Sequence, residues 1–249
     1  MLINGLNKTT LLDYPGRVAA TIFTGGCNFR CPFCHNAGLV LHATQQERIS
    51  EEEVFLFLEK RKNILKGLCI TGGEPTLQPD LPDFIQRVRE LSYAVKLDTN
   101  GYNPTMLAYL LDNQLLDYVA MDIKNCPNKY AQTVGADKFP GGTNDFLSES
   151  IYESVQLLKD ACIDYEFRTT VVREFHTKED LLQIAEWIKG CPRYFLQNYE
   201  DNDHILAADS AETQIELFHG YEKAILEDVA EAIRQVPGMT GEVHLRGVE

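Results

Sequence analysis

Three cysteines, Cys27, Cys31 and Cys34, fall within eight residues of a 249-residue chain that holds seven in all. Their thiolates at CxxxCxxC spacing suit an iron–sulfur cluster, because one short loop can wrap three ligands around a cluster that usually takes four. Three protein ligands leave one iron open to a group that is not protein. Other cysteine chemistries fit less well. Bacterial ferredoxin loops run CxxCxxC with a distant fourth cysteine, zinc ribbons pair two CxxC units, and a zinc knuckle wants a later histidine at defined spacing. His35 directly follows Cys34, and adjacent residues rarely both reach one tetrahedral metal. Packing alone gives no reason for three cysteines in one loop. Cys69, Cys126, Cys162 and Cys191 stand singly with no CxxC partner and are expected to be small buried hydrophobes.

Such a loop needs a rigid frame, and short β-rich runs alternate with helix-period stretches from Val18 onward. The strands expected are Val18 to Thr24, Gly67 to Thr71, Tyr93 to Asp98, Tyr118 to Ile123, Tyr165 to Val172 and Tyr194 to Gln197, with Val243 to Arg246 as a late addition. A helical segment follows each of the first six, which is the pattern of parallel βα units. Helix starts are well signalled: Ser50 with Glu53 and Thr177 with Asp180 at capping-box spacing, and Asn103 before Pro104. A last helix is expected over about Ala211 to Gln235, carrying Glu216, Glu222, Glu227, Asp228 and Glu231. Trp187, Phe55 and Phe57 read as core. Six units are too few for a closed eight-fold barrel and fit an α/β fold of the open partial (β/α)6 type. A doubly wound sheet is the alternative, but a cysteine loop stands where its glycine-rich phosphate loop would be. No linker divides the chain, so one domain is expected over 1–249, with its core at about 16–200 and a C-terminal helix and tail at 201–249.

The strand ends carry further chemistry. The second ends in Gly72-Gly73-Glu74-Pro75, where glycines admit close backbone approach and a carboxylate can accept from an ammonium. The third ends in Asp98-Thr99-Asn100, the fourth contains Asp122-Ile123-Lys124, and Arg168 lies on the fifth. Charges at these ends more often line a site than a core, although a structural ion pair between Asp98 and Lys124 would also account for two of them. His176, His204, His219 and His244 have no evident partner in the sequence.

The cysteine spacing, with aromatic Phe33 just before the third cysteine, resembles the signature of the radical S-adenosylmethionine (SAM) enzymes. That resemblance implies a 4Fe-4S cluster on Cys27, Cys31 and Cys34, whose open iron is chelated by the methionine end of S-adenosylmethionine, with Phe33 near the adenine. It further implies one-electron cleavage of the cofactor to a 5′-deoxyadenosyl radical that removes a substrate hydrogen. The GGEP segment, Gly72 to Pro75, corresponds to the one that holds the cofactor's amino group. The segments containing Asp98, Thr99, Asp122 and Lys124 are similar to those of pyruvate formate-lyase activating enzyme, where they imply contacts to the methionine end together with a monovalent cation. Arg168 matches an arginine expected near the carboxylate or ribose, whereas Tyr199 stands where that family places a cofactor-contacting histidine. Cys34-His35-Asn36 and the lead-in Thr9 to Gly16 narrow the resemblance to glycyl-radical-enzyme activating proteins, in particular those serving anaerobic ribonucleoside-triphosphate reductase. The partners implied are a glycyl radical enzyme as substrate and a flavodoxin or ferredoxin-type electron donor. The competing readings are a radical enzyme acting on a small molecule, such as a 7-deazaguanine-forming synthase, and a non-catalytic iron–sulfur or redox-sensing module.

Composition limits the rest. A net charge of −14 with no basic patch opposes nucleic-acid binding. The sequence has neither an eighteen-residue apolar run nor a leader-like start, so the expectation is a cytoplasmic chain with no membrane span.

Overall fold

The computed structural model describes residues 1–136, 144–200, 205–206 and 218–248. Among these residues eight strands form one sheet in chain order: β1 Ile3–Thr10, β2 Ala19–Thr24, β3 Gly67–Gly72, β4 Ala94–Thr99, β5 Tyr118–Asp122, β6 Asp164–Val171, β7 Arg193–Asn198 and β8 Glu242–Arg246. From β2 to β8 every pairing is parallel, and β1 adds antiparallel to the outer edge of β2. The order never reverses, so the sheet has no switch point and is a partial barrel rather than a doubly wound sheet. Its edges, β1 and β8, do not pair with each other. The expected strands form within one residue of their expected bounds. Strand β1 is the unexpected one, because INGLNKTT lacks the alternation that announces a strand and depends instead on pairing with β2 and on buried Ile3.

Alternation along the parallel strands sorts the two faces. Ala20, Ile22, Leu68, Ile70, Val95, Leu97, Val119, Met121 and Phe167 share one continuous hydrophobic core with helix residues such as Val54, Leu58, Phe84, Ile85, Leu107 and Ile184. The intervening residues face into the curl of the sheet. There Ala19, Ala120, Tyr118 and Tyr14 form a separate small cluster, and Lys96, Asp98, Glu166 and Arg168 make mutual or neighbouring polar contacts. Tyr14, from the turn between β1 and β2, stops the lower end of the barrel. Its ring lies 6.0 Å from that of Tyr118, whose hydroxyl donates to Glu166 at 2.6 Å. Gly67 makes room for it, since a Cβ there would sit 2.7 Å from the Tyr14 ring.

The helices are α1 Ala37–Leu41, α2 Glu51–Arg61, α3 Leu81–Glu90, α4 Pro104–Asp112, α5 Tyr130–Thr133, α6 Asn144–Asp160, α7 Lys178–Ile188 and α8 Lys223–Arg234. Both expected capping boxes form, Ser50 with Glu53 and Thr177 with Asp180, and Asn103 accepts from the Met106 amide at 3.1 Å. The last helix is shorter than expected: residues 218–222 are not helical, and α8 begins after Glu222. Gly220 lies close against the Tyr199 carbonyl in that stretch, and residues 207–217, with Glu216, lie outside the described residues. Cys162 departs from the buried expectation because it lies in the exposed turn between α6 and β6, whereas Cys69, Cys126 and Cys191 are buried. No helix among the described residues is long and apolar enough to cross a membrane.

Asp180 accepts from Lys129 at 2.6 Å and from the Thr177 amide at 2.8 Å. Burial opposes its charge, but these partners outweigh burial and hold its carboxyl below the usual range. A depressed folded value means that its stabilisation is complete above the unfolded carboxylate range, near pH 4, and fades as pH falls through the folded value. Asp180→Asn is therefore expected to lower stability by about 1–2 kcal/mol at pH 7. In urea unfolding series the gap from the parent should close toward pH 3; a gap unchanged with pH would contradict this account.

Candidate functional site

The cysteine loop leaves β2 through Gly25 and Gly26 and is tied on both sides. Gly26 N–H donates to the Leu39 carbonyl at 2.8 Å, Arg30 N–H to Val134 at 2.8 Å, and Leu206 N–H to the Cys34 carbonyl at 3.0 Å. The Arg30 guanidinium folds back onto the carbonyls of Cys27 and Phe29, at 2.5 and 2.8 Å. These ties turn Cys27, Cys31 and Cys34 toward one cavity of about 240 Å³ at the C-terminal ends of the strands. Burial pushes the Cys27 and Cys31 thiols up to about 12 and raises Cys34 as well, so each is a neutral thiol until a metal takes its proton.

The turn after β3 abuts this loop. Gly73 N–H donates to the Thr24 carbonyl and Glu74 N–H to that of Gly26, both at 2.8 Å. The approach is too close for side chains: a Cβ would lie 2.4 Å from the Thr24 nitrogen at Gly72, where φ is +115°, and 2.0 Å from the Gly26 oxygen at Gly73. Glu74 is fully buried, and its carboxylate accepts from Thr76 Oγ1 (2.5 Å), Thr99 Oγ1 (2.7 Å) and the Asn100 amide (2.7 Å). Burial raises its pKa against those donors. Glu74 thus fastens the end of β3 to the end of β4.

Opposite the cysteines stands a charged array. Arg168 donates from Nε to Asp122 Oδ1 at 2.9 Å and from Nη1 to Asp98 Oδ2 at 3.2 Å, while Lys124 donates to Asp122 Oδ2 at 2.9 Å. Lys96, 2% exposed, donates to Asp98 Oδ1. The pairing is therefore not the Asp98–Lys124 one considered from sequence. Burial disfavours both carboxylate charges, but Arg168, helped by Lys124 at Asp122 and Lys96 at Asp98, overrides it and holds both pKa values below the ordinary range. Both acids stay ionised at any working pH.

Eleven of the twelve residues expected at a site line this cavity: Cys27, Cys31, Cys34, Gly72, Gly73, Glu74, Asp98, Thr99, Asp122, Lys124 and Arg168. Phe33 instead packs beneath the loop, 5.3 Å from the Phe175 ring and 6.4 Å from that of Phe218. Tyr199 is buried beside His35, with ring centres 5.1 Å apart. Asn36, Thr71, Thr170 and Gln197 also line the cavity; Thr170 follows from strand alternation two residues beyond Arg168.

Lys96 escaped the sequence reading altogether, and His176, noted there without a partner, has one in the fold. His176 is fully buried, with Nε2 2.7 Å from the Lys124 carbonyl and Nδ1 3.1 Å from the Val172 amide. Nε2 therefore carries the proton and Nδ1 accepts, while burial lowers the ring's pKa and keeps it neutral. His219 and His244 pair with Glu174 and Glu242 at the surface, and His204 lies outside the described residues. His176→Phe is expected to cost about 1–3 kcal/mol by leaving the Lys124 carbonyl without a donor. Urea midpoints should show that loss, and an unchanged midpoint would refute it.

The donor set suits a cubane cluster better than one metal ion. Soft thiols at three positions around one cavity can each take a separate iron. A zinc site needs its ligands closed on one centre, and among the described residues no three His, Cys, Asp or Glu side chains do so. A metal cation between Asp98 and Asp122 fits poorly, since every carboxylate oxygen there already faces a lysine or arginine nitrogen.

Residues 21–188 match the family model described as the radical SAM superfamily. The chain is 34% identical over 206 residues to a Methanocaldococcus jannaschii protein provisionally named glycyl-radical enzyme activating enzyme MJ1227, a stretch covering 81% of each chain. A Thermococcus kodakarensis protein named as a probable GTP 3′,8-cyclase is 30% identical over 181 residues, covering 70% of this chain and 56% of that one. Among solved structures, Streptococcus suis SuiB bound to precursor peptide SuiA superposes with a TM-score of 0.62 at 15% identity, over 91% of this chain and 48% of that one. The anSMEcpe structure with bound AdoMet and a Cp18Cys peptide gives 0.60 at 15% identity, over 90% and 61%. The chain thus spans about half of SuiB, and these likenesses show the shared fold.

Proposed function

We propose that this chain, which belongs to the radical SAM superfamily, is an activating oxidoreductase that takes a hydrogen atom from a backbone glycine of a partner glycyl radical enzyme. The partner this reading names is anaerobic ribonucleoside-triphosphate reductase, and the electron donor is a flavodoxin or a ferredoxin. The family implies a 4Fe-4S cluster and S-adenosylmethionine, which together supply an electron, a homolytic sulfur–carbon cleavage and the radical that abstracts hydrogen. In this reading Cys27, Cys31 and Cys34 hold the cluster. Gly72 and Gly73 admit the methionine amino group to the backbone, while Glu74 keeps that turn locked to Thr99 and Asn100. Asp98, Asp122, Lys124 and Arg168 would orient the methionine end, Phe33 backs the cysteine loop from beneath, and the barrel wall keeps water out.

The observation that carries the protein-substrate reading is the extent of the match. Most of both chains is shared with the activating-enzyme relative, whereas the cyclase similarity covers 56% of one such protein and 37% of another. A small-molecule enzyme of this chemistry needs groups to bind and orient its substrate, often on an added segment. A barrel open between its edge strands can instead admit an extended loop whose own protein completes the seal.

The test is to mix reconstituted protein anaerobically with reductant, S-adenosylmethionine and the candidate reductase, and to record the electron paramagnetic resonance spectrum. A glycine-centred doublet on the partner is expected. Cofactor cleavage without that radical, accompanied by turnover of a small molecule, would hand the assignment to the competing enzyme reading.

A further inference from the structure

Two aspartates, beside the hydrogen-bonded Glu74, face a cavity that, in the reading above, receives a cofactor carrying a carboxylate of its own. Unscreened, these anions would repel one another, and a bound metal cation is one remedy. The chain contains another. Asp98 Oδ1 faces Lys96 Nζ, Asp98 Oδ2 faces Arg168 Nη1, Asp122 Oδ1 faces Arg168 Nε, and Asp122 Oδ2 faces Lys124 Nζ. Three side-chain cations thus hold the two aspartates at all four of their oxygens. Lys96 is the least dispensable of them. It is 2% exposed, lies one strand layer below the cavity, and among the described residues has the Cys69 sulfur at 3.8 Å and the Tyr118 ring at 5.8 Å besides Asp98. A buried ammonium persists only where a carboxylate holds it, and the pair is correspondingly fixed. A metal ion could enter between the two acids only by displacing an ammonium or the guanidinium fork.

We infer that Lys96 is a positioning residue which serves as a built-in counter-ion to Asp98, so that S-adenosylmethionine binds here without any monovalent metal cation. The inference rests on the cofactor part of the proposed function and is independent of what gives up hydrogen.

Binding of S-adenosylmethionine to the reconstituted protein is measured by calorimetry in potassium, sodium and tetramethylammonium salts at equal ionic strength. Tetramethylammonium is too bulky to take a metal's place between two carboxylates. The parent protein is expected to bind equally, within a factor of two, in all three. Lys96→Met is expected to bind about tenfold more weakly in tetramethylammonium and to recover most of that loss in potassium, which enters the vacated position. Lys96→Arg, which keeps the charge, should stay close to the parent without rescue. Absorbance of the cluster and the far-ultraviolet spectrum identify variants that are simply unfolded, and the salt exchange on the parent needs no variant at all. Parent affinity that collapses without potassium or sodium would overturn the inference, as would a folded Lys96→Met indistinguishable from the parent. Failure to bind in every salt would instead strike the cofactor reading itself.

Discussion

Replacing any one of Cys27, Cys31 and Cys34 with alanine is expected to leave only traces of iron on the protein and to abolish S-adenosylmethionine cleavage, whereas Cys69→Ala keeps its iron. The three loop thiols line one cavity, and Cys69 does not. A cluster already one protein ligand short cannot be held by two thiolates when the site must also expel protons from buried thiols raised well above neutrality. The effect is all-or-none because the ligands act as a unit. Iron and sulfide analysis after anaerobic reconstitution, with the visible absorbance of the cluster, reads it directly. Full iron loading and cleavage in any loop variant would remove the cluster assignment, while iron loss in Cys69→Ala would mean that the fourth thiol had been misjudged. Cys162, exposed in the turn after α6, offers a second control remote from the loop.

The parts of this molecule that were legible in the sequence are those governed by local chemistry. Capping boxes at Ser50 and Thr177, strands at the ends of which charges appear, and a cysteine loop directly after a strand all act over a few residues. Strand β1 was not legible, because its stability comes from pairing with β2 and its own sequence carries no periodic signal. Lys96 was legible in principle. In Ala94-Val95-Lys96-Leu97-Asp98-Thr99 the apolar residues alternate with charged ones, so Lys96 and Asp98 share a face and Val95 and Leu97 the other. Lys96 lies one layer below the strand end, where sites usually gather, so no motif at that end includes it. His176 is different again. Its partner is a backbone carbonyl on another strand's loop, and nothing in a sequence advertises such a contact.

The same layering gives the barrel its division of labour. At the lower end Tyr14, Tyr118 and Glu166 close the interior with aromatic rings and one hydrogen-bonded acid. Lys96, in register with Tyr118, supplies charge beneath the cavity, and Arg168, two residues beyond Glu166, supplies it in the cavity wall. Charged groups so deep in a fold stabilise little by themselves, since removal from water offsets most of their attraction. Their value is geometric: a carboxylate gripped at both oxygens cannot rotate, and a site whose walls do not rotate needs no reorganisation when a charged ligand arrives.

Arg168 tests that view most severely. Its guanidinium bridges Asp98 on β4 and Asp122 on β5 from its place on β6, with 17% of the side chain exposed. Arg168→Met preserves much of the volume and removes the bridge, so each carboxylate keeps one lysine and loses its second cation. Breaking a buried pair on one side typically costs about 3–5 kcal/mol, and the remaining lysines place the expected loss near the bottom of that range. Cofactor binding should suffer more than the fold, because both aspartates now confront an incoming carboxylate without the guanidinium that bridged them: a loss of about 100-fold in S-adenosylmethionine affinity is expected, equivalent to about 2.7 kcal/mol. Iron content should be unchanged, since the cysteine loop takes none of its ties from Arg168. Arg168→Lys separates charge from geometry. A single ammonium cannot fork to both acids, so it should recover most of the stability and only part of the affinity. If Arg168→Met bound the cofactor as tightly as the parent while unfolding earlier, the array would be scaffold alone, and the methionine end would have to be held by other residues of the cavity.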